Sequence, residues 1–222
     1  MSIDERRKRE KKYRRETIIQ AAKELIQEKG LDAVTMDEIA KRSELSKGTL
    51  YLNFPSRDEL VYSINSKGFN LINEKLSEIL LSGDTGEKML RTLFMFGVNF
   101  SHDQPLYFEA FRYYELYSDS NDLEEKPIVK ECEDKRQILF TLSERIFQIA
   151  IQDGSIKSKY SPKLLTIIYW SGIRGLLEFF DTKSTVRHTP FFQNFLKQDH
   201  DIHSTYLEII MHGIIQKQNI GE

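Results

Sequence analysis

The chain has 222 residues with 32 basic and 34 acidic side chains, a formal net charge of −2, which excludes a protein that coats nucleic acid over its whole surface. Its single cysteine, Cys132, excludes an intrachain disulfide and a multi-cysteine zinc site, and it suits a cytoplasmic setting. The length holds one large domain or two small ones.

Charge is unevenly spread. Residues 1–20 carry eight basic side chains against four acidic ones, so the remainder is acidic by six charges. A basic arm on an acidic body favours local attraction to an acidic polymer. Two readings of the arm stand side by side: its arginines enter a minor groove or lie along phosphates, or the arm is a solubilising tail. The N-terminal run lacks the apolar centre of a secretory leader. The first helix is expected from within the arm to Lys29, ending at Gly30, with Ile18, Ala22, Leu25 and Ile26 as its inward stripe.

Two short helices should follow. Thr35 stands three residues before Glu38, the spacing of a capping box that opens a helix. Ile39 and Ala40 form its inward face, and Leu45 is an apolar plug in the turn. Ser46 caps a second helix over 47–53, which buries Leu50 and Phe54. Lys47, Gly48, Thr49, Tyr51 and Asn53 are left for the outer surface. A short helix with a polar, basic and aromatic outer face suits the DNA major groove.

Pro55 stops that helix. Ser56 with Glu59 opens a long fourth helix to about Leu81, closed by the loop 82–86. Pro105, Pro127, Pro162 and Pro190 suit first-turn positions of later helices. One is expected to start at Pro105, and others near 127–152, 162–180 and 190–197, with a last helix over 203–218 and a polar loop over 118–126. No run of alternating strands and no internal repeat occurs, so the fold class is all-α. The most apolar stretch, residues 164–180, is interrupted by Arg174 and Glu178 and falls short of a membrane span.

The segment resembles the DNA-binding helix-turn-helix of the tetracycline-repressor (TetR/AcrR) family. The residues that carry the likeness are Thr35 to Ala40, the run Ser46-Lys47-Gly48-Thr49-Leu50-Tyr51, Phe54, and Ser56-Arg57-Asp58-Glu59-Leu60. Upstream, Ile18-Ile19-Gln20-Ala21-Ala22 and Glu28-Lys29-Gly30-Leu31 match the family's first helix and its exit. Three positions depart: Glu44 stands where the family usually has Gly in the turn, Asn53 where it often has His or Tyr, and Arg57 where Lys is common.

The resemblance implies residues 1–55 as a three-helix DNA-binding domain with its basic arm, and 56–222 as a larger helical domain for effector binding and dimerisation. Thr35, Ser46, Tyr51 and Arg57 are then phosphate contacts, and Lys47, Thr49 and Asn53 the candidates for base edges. Gly48 permits close approach. The partners implied are a palindromic operator in double-stranded DNA and a second copy of the chain, paired through the helices near 162–180 and 203–218. Tyrosines and phenylalanines crowd residues 94–117, more than a core needs. By the same likeness they border a pocket for a small, mostly apolar effector, with Phe111, Tyr114 and Trp170 as contacts and Arg112 or Arg174 as anchors for an anionic group. The expected protein is a homodimeric repressor released from DNA by that effector, with no cofactor, no metal, no membrane partner and no catalytic residues. Two alternatives are a ligand-independent DNA organiser or division regulator with the same motif, and a helical enzyme whose metal is held by Asp199, His200, Asp201 and His203.

Overall fold

A computed structural model describes residues 2–118, 126–180, 188–196 and 202–214. Among these there is no β-strand, as the all-α expectation requires. The helices are α1 (Ile3–Lys29), α2 (Met36–Arg42), α3 (Lys47–Asn53), α4 (Arg57–Leu81), α5 (Gly86–Asp103), α6 (Pro105–Tyr117), α7 (Pro127–Gln152), α8 (Pro162–Phe180), α9 (Pro190–Leu196) and α10 (Ile202–Ile214). A single 3-10 turn, Leu31–Ala33, joins α1 to α2. Most boundaries fall within a residue or two of those read from caps and prolines. Residues 215–218 of the last expected helix and most of the loop after Ser118 lie outside the described residues. So do Asp199, His200, Asp201 and the His203 side chain.

Packing divides the chain into two compact units. The first is Met1–Leu71 with Gln104–Arg136, and the second is Ile72–Asp103 with Gln137–Glu222. In the first unit, Ile18, Ile19, Ala22, Leu25 and Ile26 of α1 form a buried stripe. The buried residues Ile39 and Ala40 of α2, Leu50 of α3 and Phe54 complete this small core. The other half of the unit is aromatic. Tyr62 on α4 meets Tyr114 on α6 edge-on at 5.1 Å, and Phe69 meets Phe111 at 5.8 Å. Such edge-to-face pairs stabilise beyond the area they bury.

The second unit packs α5, α8 and α10 around Tyr169 and its neighbours. The Tyr169 ring lies 4.6 Å from Phe94, and its hydroxyl donates to the Leu93 carbonyl at 2.8 Å. Trp170 turns its Nε1 onto Ser143 Oγ of α7 at 3.0 Å. At the start of α5 the Gly86 N–H donates to Asp153 Oδ2 at 2.6 Å, which satisfies one of the helix's orphan donors. No helix of the described residues is long and apolar enough to cross a membrane.

Candidate nucleic-acid interface

The two short helices are set by their caps. The Thr35 N–H donates to Glu38 Oε2 at 3.0 Å and the Glu38 N–H to Thr35 Oγ1 at 3.4 Å, closing a capping box at the head of α2. Lys29 also bonds Glu38 from the end of α1. That contact first, then the Thr35 hydroxyl and backbone, lower the Glu38 pKa to about 2. α2 closes with Ser43, whose hydroxyl donates to the Ile39 carbonyl at 2.7 Å.

The turn that follows passes through Glu44 at φ 55°, the one non-glycine residue with positive φ among the described residues. This conformation is the left-handed one that glycine adopts without cost. The Leu45 N–H then returns to the Ala40 carbonyl at 3.0 Å. Ser46 begins α3: its Oγ accepts from the Thr49 N–H at 3.1 Å and lies 2.9 Å from Thr49 Oγ1.

α3 anchors itself through three residues and presents the rest. Leu50, Asn53 and Phe54 are buried. Lys47, Gly48, Tyr51 and Leu52 are exposed and Thr49 is half-exposed. A Cβ added at Gly48 would meet only Ser46 Oγ, at 3.9 Å, so this edge is open. Lys47 reaches Asp37 Oδ2 at 2.6 Å, an exposed ion pair that costs little to exchange for another anion.

Two further members of the expected contact set are held from the inner side of the motif. Asn53 is 8% exposed, and its Nδ2 donates to the Thr49 carbonyl at 2.8 Å. Arg57 donates to Tyr113 Oη at 3.2 Å and to the Leu31 carbonyl at 2.5 Å, tying the head of α4 to the exit of α1 and to α6. Tyr113 donates in turn to Asp58 Oδ1. Burial, then Asp58, push the Tyr113 pKa up to about 12.

Reading the sequence missed two residues here. Leu52 is 83% exposed, an apolar side chain on the outer face of α3, four positions after Gly48. Arg15 belongs to the basic arm by composition, yet it faces inward. It donates to the Asn53 carbonyl and to Ser63 Oγ at 3.3 Å, and it lies 4.0 Å from the centre of the Phe54 ring. Its spacing of three and four before Ile18 and Ile19 was the available signal. The rest of the arm is helical from Ile3, capped by Ser2 and Glu5, and solvent-exposed through Arg14.

The expected effector residues fall on two helices. On α6, Tyr114 is fully buried and donates to Glu133; burial and then Glu133 raise its pKa well above the usual tyrosine value. Phe111 is half-buried against Phe69, which Tyr114 also touches, and Arg112 is half-buried beside them in sequence. On α8, Trp170 is half-buried against Tyr169, and Arg174 pairs with Glu178 at 2.9 Å.

Residues 18–64 match the family described as bacterial regulatory proteins, tetR family. The helix-turn-helix region of this chain is thus of the TetR type. It is 41% identical over 64 residues to the uncharacterized HTH-type transcriptional regulator YvdT of Bacillus subtilis, covering 29% of this chain and 31% of that protein. It is 34% identical over 84 residues to the HTH-type transcriptional repressor KstR of Mycolicibacterium smegmatis, covering 38% of this chain and 40% of KstR. The matched stretches therefore span less than half the length of these curated relatives. Likeness of fold runs further. AibR, solved in complex with isovaleryl coenzyme A and operator DNA, aligns with a TM-score of 0.62 over 91% of this chain and 98% of its own, at 15% identity.

Proposed function

We propose that this protein is a homodimeric, sequence-specific DNA-binding repressor of the TetR family, released from its operator by a small, mostly apolar effector. The observation that carries the reading is the open edge of α3. Leu50 and Phe54 are committed to the core, Ser46 caps its N-terminus, and Gly48 leaves room for close approach. In this reading residues 1–55 bind DNA and 56–222 serve the effector and the dimer. Thr35, Ser46 and Tyr51 hold phosphates, and Lys47 and Thr49 face base edges. Asn53 and Arg57, already bonded within the protein, act from behind by fixing the end of α3 and the start of α4.

Helix-turn-helix proteins reach two half-sites by pairing, which fits operator symmetry to protein symmetry. Leu164, Ile167 and Ile168 on α8 and Ile209 on α10 are exposed apolar side chains that support pairing through these helices. Support for the effector comes from AibR, which was solved with an acyl thioester. Substitutions at Phe111, Arg112, Tyr114, Trp170 and Arg174 are the ones to alter the effector response. The effector must bind one arrangement of the two DNA-binding domains better than another, and α4, continuous from Arg57 to Leu81, is the lever between the effector-binding and DNA-binding parts of each chain. Coupling of about 1–3 kcal/mol is enough.

Selection of duplexes from a random pool by the purified protein tests the core of this reading. A palindromic consensus should emerge, bound by two chains in sedimentation. Tyr51→Ala or Lys47→Ala should weaken it by about tenfold, the loss of one good contact. Recovery of no enriched sequence, or a chain that stays single on DNA, would overturn it.

A further inference from the structure

A cleft of about 400 Å³ opens in the first unit between the N-terminal half of α1, α4 and the start of α7. Six cations line it: Lys8, Lys11, Lys12 and Arg15 from α1, Lys67 from α4 and Lys135 from α7. Only two acidic groups, Glu16 and Glu131, stand on the same wall. Both are already committed. Glu16 accepts from Lys67, and Glu131 accepts from Lys135 at 2.8 Å and from Ser66 Oγ at 2.5 Å. Lys8, Lys11 and Lys12 make no ion pair among the described residues.

Spacings of three and four bring the α1 cations onto one helix face, where like charges repel. A concave wall concentrates their field and favours an anion as counter-charge. From Lys8 to Arg15 the helix rises about 10 Å, more than one phosphate covers. The cleft lies in the size range of small-molecule sites, about 300–1,000 Å³. Ser63, Ser66 and Asn70 add uncharged polar groups to its lining.

We propose that this cleft binds a small polyanion with two or more linked phosphates, the chemistry of a nucleoside di- or triphosphate or of a phosphorylated coenzyme. The site is also coupled to α3. Arg15 stands at once in the cleft lining and on the Asn53 carbonyl at the C-terminal end of α3. An anion in the cleft competes for that guanidinium and so loosens the end of the helix. This coupling rests on α3 reading DNA; the binding does not.

The test is calorimetry with inorganic tripolyphosphate on the 222-residue chain, without DNA and at fixed ionic strength. One site per chain is expected, with inorganic monophosphate binding far more weakly. The double substitution Lys11→Ala with Lys12→Ala should lower the affinity about tenfold or more, by loss of charge-assisted bonds. Both positions are exposed, and an unchanged melting curve would show that the fold is intact. No saturable heat from the wild type, or equal affinity in the double variant, overturns the site. Loss of duplex affinity in the double variant, with no tripolyphosphate binding to the wild type, would assign the cations to a nucleic-acid backbone and overturn it equally. At matched ionic strength, saturating tripolyphosphate should weaken operator binding by the wild type about fivefold or more. Polyphosphate binding with no such change overturns the Arg15 coupling. A wild type that binds tripolyphosphate and no duplex at all would instead fail the repressor reading.

Discussion

Gly48 and Gly86 stand near the starts of two helices for opposite reasons. At Gly48, on α3, an added Cβ would meet nothing nearer than Ser46 Oγ at 3.9 Å. At Gly86, on α5, it would fall 2.2 Å from the Cα of Ala150. One glycine keeps an edge clear of the protein's own atoms; the other lets two helices of the second unit meet backbone to backbone. The comparison separates a region shaped for something outside the molecule from one shaped by its own packing. Likeness to other proteins divides the same way. The family match covers residues 18–64, whereas AibR shares the fold over 91% of the chain at only 15% identity. Many side-chain sets fill a helical core of given volume, but few leave a short helix capped, anchored and open.

The widest gap between the two glycines should show on substitution by alanine. Gly86→Ala forces the backbone of α5 or α7 to move, because the atom in the way is main chain. A loss of about 3 kcal/mol or more is expected, at the upper end of overpacking costs. Urea denaturation measures it, and an unchanged midpoint would mean that the α5–α7 contact yields freely. Gly48→Ala should do the reverse to the fold, raising stability by up to about 1 kcal/mol through helix propensity. It should also weaken operator binding about tenfold, the loss of one close contact, if the open edge is what DNA approaches. A stabilised variant that binds DNA as tightly as the wild type would leave Gly48 without that role.

The contrast also explains what could be read from the chain. Capping boxes, prolines and Gly30 are local signals, and they gave α1 to α4 and most later helix starts. The strained place at Glu44 was legible only through the resemblance to the family, which usually has Gly at that point of the turn. Long-range partners were not legible. That Arg15 would bond the Asn53 carbonyl, 38 residues on, depends on how α1 and α3 cross. That Arg57 would be held by Leu31 and Tyr113 depends on α6, whose place no local pattern fixes. Asn53 was assigned outward by helix spacing, and its amide turns back onto Thr49. Leu52 was passed over because an exposed leucine carries no signal until its burial is known.

Smaller effects should separate the caps from the turn. Glu44→Gly removes the side chain from a left-handed position and should stabilise the first unit by about 1 kcal/mol. The result is read as a rise in the denaturation midpoint. A fall would mean that the Glu44 side chain contributes more in place than its backbone strain costs. Operator affinity should hardly move, since the geometry of α2 and α3 is kept.

The smallest expected effect concerns the α2 cap and acid. The Glu38 carboxylate is held to about 2, below the ordinary value of 4.5, first by Lys29 and then by Thr35. Its folded pKa lies below its unfolded one, so charged Glu38 binds fewer protons in the native state. It therefore contributes stability above pH 4.5, and that contribution is lost as pH falls through about 2. Glu38→Gln keeps an acceptor for the Thr35 N–H but removes the charge that Lys29 meets. Its stability curve should lie below the wild type's at neutral pH and converge on it toward pH 2. Parallel curves across that interval would show that the box acts through hydrogen bonding alone, and that Lys29 adds nothing to the entry into α2.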